Sequence, residues 1–278
     1  MQPFPRSPDL TAPARRVIAV GSGKGGVGKT TVSINLALAL SQQGLAVGIL
    51  DADVYGPNVP LMVNLARKRP SKAWTLVYND PAGGGPLKKK PVERYGLEIM
   101  SAGFIVAEDQ PLTWNTELVS ALLHQLLYQV EWSDLDYLIV DLPPGTANLQ
   151  ERFVAEIPFD GAVIVVTPQD VAHLDARKAI EMYRQFGIEV LGAILNMSGL
   201  VCPHCGETIE VFHPVNQERS IWAQGISKLG EIPLDPKMSL AGDTGHPVMI
   251  AYPDGVQADA FRKAATLLQE ALSRRSAR

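Results

Sequence analysis

Short continuous apolar runs recur along the chain, and stretches with helical spacing separate them. A strand that is apolar on both faces is typical of a parallel sheet covered by helices on both sides, since a sheet with one wet face would alternate. Between the first two runs, residues 30–43 carry apolar side chains at helical spacing and predict a helix. The pattern predicts an α/β fold in three layers, with a mostly parallel central sheet flanked by helices. The runs are residues 17–20, 46–50, 137–140, 162–167 and 190–195.

Polar residues follow these runs directly. In open parallel sheets ligands bind where the carboxyl ends of the strands meet, so residues far apart in the sequence are expected to converge at one edge. That edge is the predicted location of the functional site. The residues that follow the five runs are Gly21, Asp51, Asp141, Thr167 and Asn196.

Most of the chain is predicted to form a single domain. The 278 residues, 46% of them hydrophobic, can bury one large core. Residues 1–15 are rich in proline and predict a disordered leader, and residues 16–278 form the predicted domain. Residues 67–93 are rich in Pro, Gly and Lys and predict a surface hairpin or a mobile loop.

Charge and hydropathy argue against several classes of protein. The formal net charge of −4 is unlike the basic excess of a general nucleic-acid binder. The apolar runs are all far shorter than the ~20 residues that a membrane-spanning helix needs. The first residues lack the apolar segment of a secretory signal. The sequence therefore predicts a cytoplasmic protein with neither a nucleic-acid nor a membrane partner.

Residues 23–30 read GKGGVGKT and fit the phosphate-binding pattern G-x-x-x-x-G-K-S/T between a predicted strand and a predicted helix. Glycines let the backbone turn so tightly that successive N–H groups point at phosphate oxygens, and the helix N-terminus adds partial positive charge. In this chemistry Lys29 neutralises the β- and γ-phosphates of ATP, and the Thr30 hydroxyl ligates Mg²⁺. The pattern predicts a P-loop NTPase. Its predicted nucleotide-binding residues are Gly23, Lys24, Gly25, Gly26, Val27, Gly28, Lys29, Thr30 and Thr31.

Acidic residues follow two of the predicted strands. Asp51 and Asp53 lie two positions apart after the second run, so they are expected to have different roles. Asp141 ends the run YLIVD and is the Walker B type residue expected to hold Mg²⁺ directly or through water. Residues 143–145 read PPG, a stiff loop with one flexible point, and are suited to sense the γ-phosphate as a switch.

An additional lysine marks this phosphate loop. The sequence KGGVGKT, with Lys24 as the additional residue, resembles the ATPase class that includes MinD, ParA, the arsenite pump ATPase and nitrogenase iron protein. The resemblance implies that Lys24 reaches across a dimer interface to the nucleotide of a second copy, and so implies an ATP-sandwich homodimer. It also implies that Asp53 orients the attacking water and that Asp51 supports the Mg²⁺ shell. The implied catalytic residues are Lys24, Lys29 and Asp53.

Several longer stretches narrow the class. DADVYGPNVP, LDYLIVDLPPGT, NMSGLVCPHCGETIEVF and LGEIPLDPKMSLAGDTGHPV resemble the Mrp/ApbC-type iron–sulfur cluster carrier ATPases, over roughly residues 15–270. The resemblance implies that Asn196 contacts the adenine and that the region around Pro233 lines the base pocket. It further implies slow ATP hydrolysis, with a cluster-assembly scaffold and apo iron–sulfur proteins as partners. His173 stands where these ATPases commonly have an apolar residue.

Cys202 and Cys205 are the only cysteines, and they form a C-x-x-C pair in a predicted loop at residues 199–213. In a reducing compartment such a pair is typical of metal binding or catalysis. Four interpretations compete. The pair binds zinc with His204 or His213, forms a redox couple, is merely structural, or meets the same pair of a second chain. A two-fold dimer would bring four cysteines together.

We favour the dimer, because it agrees with the role implied for Lys24 and supplies the four thiolates of a 4Fe–4S cluster. Zinc is the less favoured occupant of the same bridging site. Together with the resemblance to the cluster carrier ATPases, this implies an ATP-dependent carrier that binds a labile cluster across a homodimer and transfers it to apo-proteins. The alternative is a MinD/ParA-like positioning or partition ATPase, which would act on DNA or a membrane and would not need the cysteines.

Overall fold

The computed structural model describes residues 12–65, 89–104, 122, 124–145, 148–202 and 204–276. Most of the predicted surface loop at residues 67–93 therefore lies outside the described residues, as do residues 1–11 of the predicted leader. Within that leader segment, the backbone N–H of Arg15 donates to the Leu135 carbonyl at 2.9 Å.

Strands and helices alternate along the described chain. The strands are β1 Arg16–Gly21, β2 Val47–Asp51, β3 Val92–Arg94, β4 Leu97–Ser101, β5 Tyr137–Asp141, β6 Gly161–Val166, β7 Val190–Val201, β8 Thr208–Ile209 and β9 Lys228–Leu234. The α-helices are α1 Lys29–Ser41, α2 Val59–Met62, α3 Asn148–Glu156, α4 Asp170–Gln185, α5 Pro236–Asp243, α6 Val248–Ala251 and α7 Val256–Ser276. Short 3-10 turns are formed by Ala102–Phe104, Gln217–Arg219 and Ile221–Gln224.

The strands form one sheet in the order β3-β4-β2-β5-β1-β6-β7, and both β8 and β9 pair with β7. Pairing is antiparallel between β3 and β4 and between β7 and β8, and parallel elsewhere. The predicted mostly parallel sheet is confirmed. In this register Asp141 lies beside Asp51 on one neighbouring strand and beside Val20 on the other. The carboxyl ends of β1, β2 and β5 therefore meet at one edge.

Two apolar cores cover the two faces of the sheet. Alternate residues of each central strand face opposite cores, as Ala19 and Val20 do on β1. One core contains Phe153 of α3 and Ile180 of α4, and the other contains residues of α1 and α7 such as Phe261. All of these side chains are buried. The predicted three-layer arrangement follows, because each strand needs helices on both sides.

The structure differs from the sequence prediction in several element bounds. Helix α1 begins one residue before and ends two residues before the predicted range of 30–43. Strand β7 continues past Asn196 to Val201, with Met197 in a left-handed conformation (φ 56°) where the pairing with β9 shifts register. The extension carries the chain out to the cysteine pair. In the described part of the chain, the helices are too short or too polar to cross a membrane.

Candidate functional site

The predicted phosphate loop lies between β1 and α1, at the edge where the carboxyl ends of the strands meet. Gly26 and Gly28 have φ values of +78° and +80°, a conformation that residues with a Cβ rarely adopt. Gly28 immediately precedes the first residue of α1, so the loop leads into a helix N-terminus that favours anions. This arrangement fits a bound phosphate group.

A buried ion pair occupies the centre of the site. Lys29 Nζ lies 2.8 Å from Asp141 Oδ1, and their side chains are 6% and 0% exposed. Thr30 Oγ1 donates to Asp141 Oδ2 at 2.7 Å, and Ser33 Oγ donates to Asp141 Oδ1 at 2.7 Å. A hydroxyl beside a carboxylate is an oxygen donor set that Mg²⁺ prefers, so Thr30 and Asp141 fit the predicted ion. Sequence analysis missed Ser33, although its place one turn after Lys29 on α1 was a usable signal.

Asp51 lies next to this ion pair and is fully buried. Its carboxylate accepts hydrogen bonds from Ser101 Oγ at 2.9 Å, Val59 N at 3.1 Å and Asp53 N at 3.2 Å. Burial, followed by the negative charge of Asp141, raises the pKa of Asp51. The predicted role of Asp51 in the Mg²⁺ shell stays a prediction. Ser101 was missed because β4, which it ends, was not predicted.

Asp53 has a different environment from Asp51, because Asp51 ends β2 and Asp53 lies beyond it. It is half-buried in the loop between β2 and α2. Burial raises the pKa of Asp53, while the positive charge of Lys29 lowers it. A partly accessible carboxylate of raised basicity can accept a hydrogen bond from a water molecule, which fits the predicted role.

Lys24 contacts a residue of its own chain. Its Nζ donates to Gln169 Oε1 at 3.0 Å, and Gln169 immediately precedes α4. The reach of Lys24 to a second copy stays a prediction. Gln169 was not identified from the sequence, because its contact joins residues 145 positions apart.

Asn196 and Pro233 lie on the neighbouring strands β7 and β9. Asn196 Nδ2 donates to the Val27 carbonyl at 2.8 Å, so this side chain touches the phosphate loop. A Cβ at Gly28 would lie 2.3 Å from the same nitrogen, which explains why glycine is needed there. The contacts of Asn196 and Pro233 with a base remain predictions.

The cysteine pair lies in the turn between β7 and β8. Cys202 N donates to the Glu207 carbonyl at 2.8 Å, and Gly206 N donates to the Cys202 carbonyl at 2.9 Å. Hydrogen bonds from the backbone N–H groups of Cys205 and His204 to the Cys202 thiol lower its pKa, as does one from the Cys205 thiol. This stabilises the thiolate form, which is the form that binds metals. Cys202 is half-buried and Cys205 is exposed.

Within the described ranges, no three His, Cys, Asp or Glu side chains are grouped so that they could hold a metal ion. His204 and His213 both belong to those ranges, and neither is grouped with the two cysteines in this way. The pair of cysteines provides half of the ligands of a four-coordinate site.

His173 is a fully buried histidine on α4. Its Nδ1 accepts a hydrogen bond from Ile221 N at 3.3 Å, and its ring packs edge-on against Trp222 with centroids 5.9 Å apart. Burial lowers the pKa of His173 from 6.5 to about 4. His173 is therefore neutral at neutral pH, and its ring is part of the packing between α4 and Trp222.

We expect the free energy of unfolding to decrease on acidification because of His173. Its folded pKa is depressed, so the unfolded chain binds the proton first, and stability is lost as the pH falls from 6.5 to about 4. A His173→Gln variant should lose less stability than wild type over this window. Urea unfolding midpoints at several pH values measure the difference. The expectation is wrong if the difference in unfolding midpoint between His173→Gln and wild type stays constant from neutral pH down to about pH 4.

Comparison with known proteins identifies relatives over nearly the whole chain. A family model described as ParA, NUBPL iron-transfer P-loop NTPase, matches residues 13–269. The iron–sulfur cluster carrier protein of Aquifex aeolicus (strain VF5) is 41% identical over 259 residues, 92% of this chain and 68% of that protein. The iron–sulfur cluster transfer protein NUBPL of Mus musculus is 41% identical over 249 residues, 89% of this chain and 74% of that protein.

Solved structures show the same fold. A nucleotide-binding protein from Archaeoglobus fulgidus in complex with ADP superposes with a TM-score of 0.71 at 33% identity, covering 90% of this chain and 93% of that one. The cell-division ATPase MinD of Pyrococcus furiosus superposes with a TM-score of 0.65 at 21% identity, covering 92% and 98%. At that identity the second likeness concerns the fold alone.

Proposed function

The chain belongs to the NUBPL iron-transfer family of ParA-type P-loop NTPases, and on that premise we propose that it is an ATP-dependent iron–sulfur cluster carrier. The cargo is a labile 4Fe–4S cluster, which the protein receives from an assembly scaffold, binds across a homodimer and transfers to apo-proteins. ATP hydrolysis is slow and accompanies this cycle. The proposal needs a compartment that keeps both thiols reduced, such as the cytoplasm.

The observation that carries the proposal is the hairpin with Cys202 and Cys205. Backbone N–H groups favour the thiolate of Cys202, and the described chain adds no third ligand. A two-fold axis places the same surface of two copies face to face, so two such hairpins provide four thiolates. Four thiolates complete a 4Fe–4S cluster. Because each chain contributes only two ligands from an exposed turn, separation of the chains would release the cluster.

The phosphate loop supplies the nucleotide part of the proposal. Bound Mg²⁺ would neutralise charge on the phosphates, with Thr30 and Asp141 as the residues that fit it. Lys29, now paired with Asp141, would turn toward the β- and γ-phosphates. Asp53 would orient the attacking water. Asn196 and the strand end at Pro233 would contact the base.

Two features of the loop at residues 143–145 support a role as nucleotide sensor. Gly145 N donates to the Ser22 carbonyl at 3.1 Å, which ties this loop to the residue before the phosphate loop. Gly145 has a φ of +92° and can change conformation without the strain that a Cβ would bring. A change at the γ-phosphate would therefore reach the end of β5 directly.

Anaerobic reconstitution with iron and sulfide tests the function. We expect about four iron atoms per dimer, the visible absorbance of a cluster, and transfer to an apo 4Fe–4S acceptor that regains activity. A parallel incubation with zinc alone measures the rival occupant. Failure to bind iron, together with nucleotide-dependent binding to DNA or anionic vesicles by a cysteine-free variant, would support the positioning ATPase instead.

Lys24→Ala should weaken nucleotide-dependent dimerisation. If Lys24 reaches the nucleotide of the second copy, its loss should weaken the dimer by about tenfold or more, because a buried charge on the phosphate is left without its partner. Sedimentation with Mg²⁺ and a non-hydrolysable ATP analogue measures the effect. Lys178→Ala, which removes an exposed lysine from an ion pair on α4, is the matched control. A Lys24→Ala variant that dimerises like wild type would show that this lysine acts only within its own chain.

A further inference from the structure

Helix α4 packs against the phosphate loop on one side and, on another, against residues 210–227, which connect β8 to β9 and are called the return segment here. A Cβ at Gly23 would lie 2.1 Å from the backbone carbonyl carbon of Asp175, so the loop backbone rests directly on α4. Lys24 Nζ also donates to Gln169 Oε1, at the start of the same helix. The helix therefore touches the nucleotide site at two points.

Side chains of α4 hold the backbone of the return segment. Asp170 Oδ1 accepts a hydrogen bond from Asn216 N at 2.8 Å, and Asp170 Oδ2 pairs with Arg219 Nη1 at 2.8 Å. Two turns further along the helix, Arg177 Nη2 donates to the Ser220 carbonyl at 3.2 Å. Residues at i, i+3 and i+7 of a helix share one face, so this face positions the return segment.

The cysteine hairpin is consequently connected to the phosphate loop through both of its strands. Strand β7 enters the hairpin from Asn196, whose side chain donates to the Val27 carbonyl. Strand β8 leaves the hairpin into the return segment, where His173 of α4 accepts from Ile221 N. A displacement of α4 relative to the phosphate loop would therefore move one strand of the hairpin against the other.

We propose that α4 couples the nucleotide state to the cysteine hairpin, with Asp170 and Arg219 as the positioning residues of this connection. The proposal rests on the proposed function for what the hairpin carries. Lys24 can pair with Gln169 or with a phosphate, and the exchange changes the contact between the phosphate loop and α4. The α4 face then shifts the return segment, because Asp170 and Arg219 tie the two together. These side chains are 37% and 56% exposed, so replacing them should perturb folding little.

Alkylation of the two thiols in the cluster-free protein tests the connection. In wild type, Mg²⁺ with a non-hydrolysable ATP analogue should slow alkylation by iodoacetamide about fivefold or more, the usual size of coupling between sites. Asp170→Ala and Arg219→Ala should bind the analogue with unchanged affinity and dimerise to the wild-type extent in sedimentation, so that shielding of the thiols by the dimer contact is equal in all variants. The analogue should nevertheless slow their alkylation clearly less than it does in wild type. Lys178→Ala, on α4 but outside this face, should behave like wild type.

Two results would overturn the proposal: Arg219→Ala with the wild-type response, or wild-type thiols that do not respond to the analogue. Arg219 lies outside α4, so its variant decides the question even if Asp170→Ala disturbs the helix. Cluster loading by iron and sulfide is measured separately. A protein that loads no cluster but shows the response would refute the carrier function and leave the coupling intact, whereas a loading protein without the response would do the reverse.

Discussion

Cys202→Ala and Cys205→Ala should each reduce cluster binding to background while leaving ATP binding unchanged. In a two-fold dimer one substitution removes two of the four thiolates, and the remaining two cannot hold a 4Fe–4S cluster. Nucleotide affinity should persist because the described hydrogen bonds of Cys202 stay within its own hairpin, with His204, Cys205, Gly206 and Glu207. Iron and sulfide per dimer after reconstitution, and titration with a fluorescent ATP analogue, measure the two properties.

Glu210→Ala is the matched control for this experiment. Glu210 is an exposed residue of the same hairpin region, and its replacement should leave the full iron content. The zinc incubation distinguishes the two possible occupants, the 4Fe–4S cluster and zinc. Loss of the cysteines would remove either one, whereas wild type should bind only its true occupant at full stoichiometry. A Cys202→Ala dimer that retains a complete cluster would exclude the bridging arrangement.

Lys29→Ala should weaken ATP binding by at least about a hundredfold, because it removes the one cation that the phosphate pattern directs at the β- and γ-phosphates. The structure adds a second expected effect. Lys29 is buried against Asp141, with Asp51 beside it, so its loss leaves two buried carboxylates without their counter-charge. Removal of one partner from a buried ion pair typically destabilises a protein by about 3–5 kcal/mol.

This destabilisation should depend on pH in a defined direction. Burial already raises the pKa of Asp51 to about 8, and the charge of Lys29 lowers it, so without Lys29 the pKa of Asp51 should be higher still. The native variant then holds this proton at a pH where the wild type has lost it, so the deficit relative to wild type is largest at alkaline pH and shrinks as the pH falls from alkaline values to about 8. Urea unfolding at the two ends of that range measures it. Lys29→Arg keeps the charge and should be more stable than Lys29→Ala while binding ATP poorly, since a guanidinium does not replace the compact ammonium group. A Lys29→Ala protein that is as stable as wild type at the higher pH would contradict the buried pair.

Cluster loading and nucleotide binding test the cysteine hairpin and the phosphate loop separately. Lys29→Ala should still take up iron and sulfide, whereas Cys202→Ala should still bind nucleotide. The two variants therefore fail in opposite assays. A single variant that failed in both would indicate general unfolding, and its unfolding midpoint would reveal this.

The strands that sequence analysis recognised are those buried on both faces. Strands β1, β2, β5 and β6 read as continuous apolar runs, because helices cover both sides of the sheet. Strand β9, KLGEIPL, was missed as a strand because a glycine, a proline and charged residues interrupt it. It is a strand because β7 offers it a parallel partner. Pairing with a neighbouring strand therefore outweighs the intrinsic strand propensity of the residues.

The sequence by itself determined the phosphate loop and the cysteine turn. Glycine conformation, a helix start and the spacing of two thiols act over a few residues, so their chemistry can be inferred without knowing the rest of the fold. Tertiary structure alone decided which residues complete these features. Ser33 and Ser101 bond to Asp141 and Asp51, and Gln169 accepts from Lys24. These contacts depend on strand register and on the packing of α4, which arise from the whole chain and not from any local pattern.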